Sequence, residues 1–258
     1  MKNNYQTISS YHNSQIKLLE KLNSKKYRQE EKLFMVENLA IIYDALKDGF
    51  DFEALFVTEE FARKNSEKLE FLEDNSQLEN FYSIDQKSNN YYSNLETPSG
   101  ITAIYKMQEN KLDKNSVIYL NGVSDPGNLG TIMRSALAFG FTNLVLDKTC
   151  VDIYNYKVIN AAKDAIFKLN IIEDKTGEWL ENCKLPIYGT DSHSGTALAK
   201  FIPAKVFCLV MGSESHGADP EILKRAKENI KIEISDKIES LNVATAAGIL
   251  MYQLRITN

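Results

Sequence analysis

VIYLNGVSDPGNLGTIMRSALAFG, residues 117–140, is the stretch from which the fold can be read. Val117 to Leu120 form a short unbroken apolar run that stops at Asn121, the pattern of a strand buried on both faces. Asp125-Pro126-Gly127-Asn128 is turn chemistry: proline fixes φ, glycine permits positive φ, and Asp and Asn bond the local backbone. A helical pattern then runs from Thr131 to Phe139, with Asn128 or Thr131 as candidate cap and Gly140 as its stop. Arg134 falls about one turn into that helix. The spacing does not match GxxxxGK[ST], and GNLG is not GxGxxG, so the turn is not a phosphate loop of either kind.

The same alternation continues on the C-terminal side. Strands are expected at 144–146, 166–172, 186–190, 206–211 and 230–234, with helices between most of them and a last helix over 241–254. Strands alternating with helices predict a mainly parallel sheet covered on both faces. On the N-terminal side the pattern is smaller in scale. Ile16, Leu18, Leu19 and Leu22 fit one helix face. Strands are expected at 34–37, 54–57, 81–84 and 101–105, and helices at 38–47 and 66–72. The polar run KMQENKLDKN (106–115) has no apolar periodicity and reads as a linker. The expected organisation is therefore a domain over 1–106, a linker over 107–115 and a second domain over 116–258.

Length and composition bound the class. The 258 residues are 43% apolar and 25% charged, so a globular α/β chain of one large or two small domains is expected. The longest apolar runs, such as 206–211, fall far short of the ~20 residues that span a bilayer. The first residues, MKNNYQTISSYHNSQ, hold no apolar core of a secretory signal. Cys150, Cys183 and Cys208 form no CxxC pair, and with only His12, His193 and His216 besides, no metal site is expected. A cytoplasmic protein is the resulting expectation. The net charge of -5 argues against coating nucleic acid by bulk charge. Resolved along the chain the charge is uneven. Residues 1–32 carry seven Lys or Arg against three Glu, whereas 33–74 carry four basic against eleven acidic residues. A basic segment on an acidic chain suggests an anionic partner, with Lys17, Lys25, Lys26 and Arg28 as candidate contacts; the alternative is a solvated helix face that serves solubility.

Two further clusters follow expected strands, at the carboxyl ends where open parallel sheets bind ligands. Met211-Gly212-Ser213-Glu214-Ser215-His216-Gly217 offers a glycine that admits close backbone approach and a carboxylate. It is not a hydrolase elbow, because residue 213 is Ser where G-x-S-x-G centred on Ser215 needs Gly. Residues 232–247, IEISDKIESLNVATAA, are a polar loop and a small-residue helix, with Ser240 as a candidate N-cap.

DPGNLGTIMR, GSExxG and ESLNVATA, in this order, resemble the signature of the SpoU (TrmH-like) family of SPOUT RNA 2'-O-ribose methyltransferases. The resemblance covers most of the second half. More loosely, KYRQEEKLFMVE and TPSGITAI (97–104) resemble that family's N-terminal substrate-binding domain, whose fold is like that of small ribosomal RNA-binding proteins. It implies a SPOUT α/β domain with a C-terminal trefoil knot, a homodimer, and methyl transfer from S-adenosylmethionine to a ribose 2'-hydroxyl of RNA, with 23S-type ribosomal RNA preferred over transfer RNA. By motif match, Arg134, Asn128, Glu214, Ser240 and Asn242 would be the catalytic set. Gly212, Ile232, Leu241, Thr190 and Ile234 would hold the cofactor. The family proposes Arg134 as base or activator, yet a guanidinium stays protonated at ordinary pH. The alternative is that Arg134 binds the neighbouring phosphate and stabilises the developing alkoxide. The sequence departs from the family at Glu233, Ile234 and Asp236, where Pro, Met and Gly are usual, and at Asp164, Asn160 and Asn38. A non-catalytic RNA-binding protein on the same fold is the competing reading, and a nucleotide-binding α/β protein of another family is a third.

Overall fold

Burial of an entire strand follows from its composition, and in each half of the chain one strand makes this plain. Residues 54–58 (ALFVT) and 117–120 (VIYL) have almost no polar side chain to expose, and both are buried at every position. Each becomes an interior strand of its own sheet. A computed structural model describes residues 5–77, 80–191, 194–213 and 217–255. The chain divides into two units, Met1–Gln108 with Tyr154–Asn160, and Glu109–Ile153 with Ala161–Asn258.

The first unit runs β1 (Gln6–Ile8), α1 (Ser14–Lys21), α2 (Lys25–Glu31), β2 (Leu33–Val36), α3 (Leu39–Lys47), β3 (Ala54–Thr58), α4 (Glu59–Lys64), α5 (Ser66–Asn75), β4 (Phe81–Ile84), α6 (Gln86–Tyr92) and β5 (Ile101–Lys106). Its sheet has the order β1-β4-β3-β5-β2, with β5 antiparallel to both neighbours and the remaining pairs parallel. Local chemistry sets the helix starts. Asn13 caps α1 by accepting from Gln15 N, and Asn38 caps α3 by accepting from Ala40 and Ile41 N. Phe34, Phe52, Phe56 and Phe81 are fully buried and form much of the core.

The second unit contains β6 (Val117–Leu120), α7 (Pro126–Ala138), β7 (Asn143–Asp147), α8 (Tyr156–Ala162, whose first five residues group with the first unit), α9 (Ala165–Lys168), β8 (Asn170–Asp174), α10 (Glu178–Glu181), β9 (Ile187–Thr190), β10 (Thr196–Ala197), β11 (Cys208–Met211), α11 (Pro220–Arg225), β12 (Glu228–Lys231) and α12 (Val243–Leu254). Its sheet is parallel throughout, in the order β10-β12-β9-β11-β6-β7-β8. The last strand inserts between β9 and β10.

Three expectations are corrected here. The helix α7 begins at Pro126, not Thr131, because Asp125 is its N-cap and proline occupies the first helical position. The apolar run at 166–172 splits into the short helix α9 and the strand β8. Residues 106–115 are not a free polar spacer. Lys106 ends β5, and Asp113 exchanges hydrogen bonds with the buried Asn143 of β7 while Leu112 packs on the second unit's core.

Candidate functional site

Parallel strands all end on the same edge of a sheet, so the loops that follow them converge. In the second unit the tips of β9, β11 and β12 enclose a cavity of about 130 Å³. Thr190 and Asp191 contribute from the first tip, and Gly212, Ser213 and Gly217 from the second. Ile232, Ile234, Ser240 and Leu241 line it from the loop that follows β12, and Val243, Ala246 and Leu250 from α12.

Gly212 is a glycine for a steric reason. A Cβ there would collide with the backbone of Gly217 and with Ala218 N. Ser213 and Gly217 exchange two backbone hydrogen bonds of 3.0 Å. The neighbouring tips are braced by a carboxylate. Asp147, at the end of β7, accepts from Asn121 Nδ2 at 2.7 Å, from Gly122 N at 3.2 Å and from Thr149 Oγ1 at 2.8 Å. Burial pushes the Asp147 carboxyl up, but these donors together hold it below the usual carboxylate range. Asn121 in turn accepts from Asp219 N at 2.8 Å, which ties β6 to the start of α11.

The first and third sequence clusters, remote along the chain, meet through two asparagines. Asn242 Nδ2 donates to Asn128 Oδ1 at 2.9 Å. The same Asn242 caps α12, its Oδ1 accepting from Ala244 N at 3.0 Å and Thr245 N at 3.2 Å. The cap expected at Ser240 is therefore Asn242, and Ser240 is left exposed on the cavity wall.

All five residues expected to hold the cofactor, Gly212, Ile232, Leu241, Thr190 and Ile234, line the cavity. Of the expected catalytic set, Ser240 lines it, and Asn128 and Asn242 are paired beside it. Arg134 lies exposed on α7 and is not part of the wall. Glu214 lies outside the described residues. Sequence reasoning missed Asp191, Ser213 and Val243; their only signal was adjacency to motif residues.

The expected RNA contacts lie in the first unit. Lys17, Lys25 and Lys26 are exposed, with Lys26 Nζ 3.9 Å from Glu30. Arg28 requires correction. It is buried, and its Nη1 donates to the carbonyls of Leu22 at 2.7 Å and Asn23 at 2.9 Å, where it satisfies the end of α1. Its Nη1 serves the helix terminus, so Arg28 is not the exposed contact expected of it.

The cavity's chemistry suits an adenosine compound. Aliphatic walls from Ile232, Ile234, Leu241 and Leu250 offer a slot for a flat base, and Thr190, Asp191, Ser213 and Ser240 offer polar partners for hydroxyl and amino groups. Residues 115–252 match the model of the SpoU rRNA methylase family. The chain belongs to the SpoU rRNA methylase family. It is thus an S-adenosylmethionine-dependent RNA 2'-O-methyltransferase, and the mixed aliphatic and polar lining of the cavity fits that cofactor. Residues 13–103 match an MRM3-like substrate-binding domain. The Bacillus subtilis 23S rRNA (guanosine-2'-O)-methyltransferase RlmP is 31% identical over 252 residues, covering 96% of this chain and 98% of its own. Two solved structures share the fold. The AdoMet complex of AviRb from Streptomyces viridochromogenes superposes with a TM-score of 0.81 at 21% identity, covering 94% of this chain and 97% of its own. An AdoMet-bound rRNA methyltransferase from Sinorhizobium meliloti gives 0.79 at 22%, covering 96% and 97%. Among the described residues no helix is long and apolar enough to cross a membrane, and no cluster of three His, Cys, Asp or Glu could hold a metal.

Proposed function

We propose that this SpoU-family chain methylates a ribose 2'-hydroxyl in 23S-type ribosomal RNA. The observation that carries the substrate is likeness along the whole length, substrate-binding domain included, to a methyltransferase named for 23S rRNA. A cytoplasmic site of action, a trefoil knot in the second unit and a homodimer go with this reading. Support for the dimer comes from Ile249 and Tyr252, which leave apolar surface exposed on α12.

S-adenosylmethionine, when bound, supplies an electrophilic methyl group. Gly212, Thr190, Ile232, Ile234 and Leu241 hold it in the cavity. As a guanidinium, Arg134 serves as a cation and not as a base. Its role is to grip the phosphate beside the target ribose and to stabilise negative charge growing on the 2'-oxygen, with the proton leaving to water or another group. Asn242 is fixed by its cap bonds and orients Asn128 through the 2.9 Å hydrogen bond. Asn128, its Oδ1 held by Asn242, then donates to the ribose through its Nδ2. Ser240 is a second hydroxyl partner on the wall.

Mapping of 2'-O-methyl sites in total RNA from cells with and without the protein tests the substrate. A single 23S site that disappears without it is the expected result; loss confined to a transfer RNA would overturn the ribosomal assignment. With purified protein, Arg134→Ala should cut methyl transfer by about 100-fold or more while cofactor affinity by calorimetry stays as in wild type. Wild-type turnover in that variant would remove Arg134 from the site.

A further inference from the structure

The first unit carries a group of side chains for which the methyl-transfer site has no use. Tyr11 lies just before α1. Its ring centroid is 4.2 Å from that of His12 and 5.2 Å from that of Tyr91 on α6, with tilts of 40° and 34°. Lys87, one turn earlier on α6, holds Nζ 5.1 Å from the centre of the same ring. Tyr11 is rooted, since it packs on the core cluster that includes Ile16 and Tyr92. The other members face solvent: Tyr91 is 46% exposed, and His12 and Lys87 are exposed.

Core filling does not explain this arrangement. The adjacent Tyr92 does that work, being 1% exposed with its hydroxyl bonded to Asn89 and Thr102. Tyr91 points the other way and spreads its ring on Tyr11 at the surface. The charge pattern continues along α1. Lys17 and Lys21 are exposed one turn apart, and beyond the helix the Tyr27 ring has Lys21 and Lys26 each 5.6 Å from its centre. Aromatic faces with flanking cations therefore stand at both ends of a helix about 12 Å long.

We propose that this edge of the first unit is a track for single-stranded RNA. An unpaired base stacks on the open faces of Tyr91 and His12, and Lys87 and Lys17 meet the adjoining phosphates. The proposal rests on the RNA-substrate reading above and names the form of RNA that the first unit grips. A base offers its π-face only where it is unpaired, and duplex bases are already covered by their neighbours. Tyrosine and histidine faces accept any base, so the track selects for unpaired structure and not for sequence.

The test uses the full-length chain, a fluorescein-labelled oligouridylate and an RNA duplex of the same length, read by anisotropy. Wild type is expected to bind the single strand more tightly than the duplex. Tyr91→Ala should weaken single-strand binding about 5- to 150-fold, the worth of one stacked base, and Tyr91→Trp should retain it. Lys87→Gln should flatten the salt slope of binding by about 0.7. S-adenosylmethionine affinity should stay unchanged in all three. Equal single-strand affinity in Tyr91→Ala overturns the proposal, as does a preference for the duplex. If wild type binds neither probe yet methylates ribosomal RNA, the track is wrong and the function stands; if it does neither, both fall. Should Tyr91→Ala also lose cofactor affinity, the salt slope of Lys87→Gln decides alone.

Discussion

The seven-stranded sheet is parallel throughout, and its polar chemistry collects at one edge; the five-stranded sheet reverses direction at β5, and its polar chemistry is spread over exposed helix faces. The difference follows from hydrogen-bond topology. Parallel strands bring loops remote in sequence to one place, so Thr190, Gly212 and Ile232 can share a cavity. With strands ending on both edges of the first sheet, no such convergence is imposed. There the buried polar groups, such as Arg28 and Asn89, serve the fold, and exposed Lys and Tyr are left for a partner. One unit has a built recess and the other offers a surface.

Substitutions can break or sharpen that contrast. The largest effect is expected at Gly212→Ala. The added methyl forces the backbone of Gly217 away, and strain of about 3 kcal/mol there corresponds to roughly 100-fold weaker S-adenosylmethionine binding by calorimetry. Unchanged affinity would show that the recess is not rigid. Next is Arg28→Ala in the first unit. Two carbonyls lose a charged donor, so a urea titration should show a loss of about 2–3 kcal/mol, with cofactor affinity retained. A loss of RNA affinity with full stability would instead return Arg28 to the binding surface.

The smallest effect is expected at Asp147→Asn. The folded carboxyl is held low, so its contribution is complete above the unfolded value near 3.9 and is lost as pH falls through the lower folded value. The variant should be less stable than wild type by about 1–2 kcal/mol at pH 7, with the gap closing below about pH 4. A gap that persists in acid would mean that shape, and not charge, braces the strand tips.

Much of the second unit was legible because its site is built from contiguous motifs. A motif residue carries its neighbours with it, so the five expected cofactor contacts reached one cavity although their segments are far apart. What sequence could not resolve was which of two compatible chemistries a residue serves. Asp125-Pro126 suits a turn and equally suits a helix start, and only the backbone around it decides. Ile232 and Ile234 alternate as in a strand, but β12 ends at Lys231 and both side chains face the cavity. Arg28 has the composition of a surface charge, but its partners are the carbonyls of Leu22 and Asn23, which no sequence pattern marks. The aromatic group of Tyr11, His12 and Tyr91 was invisible for a similar reason, since α6 lies far along the chain from Tyr11.

The insertion of β12 between β9 and β10 has a consequence for the order in which the chain becomes an enzyme. The two earlier strands have to wait, unpaired on their facing edges, until the last strand is made, and such remote pairing is slow. The cavity wall formed by 232–243 is completed in the same event. Binding of S-adenosylmethionine therefore stabilises only chains that have finished this closure, so the ligand acts on folding through the last strand to be made.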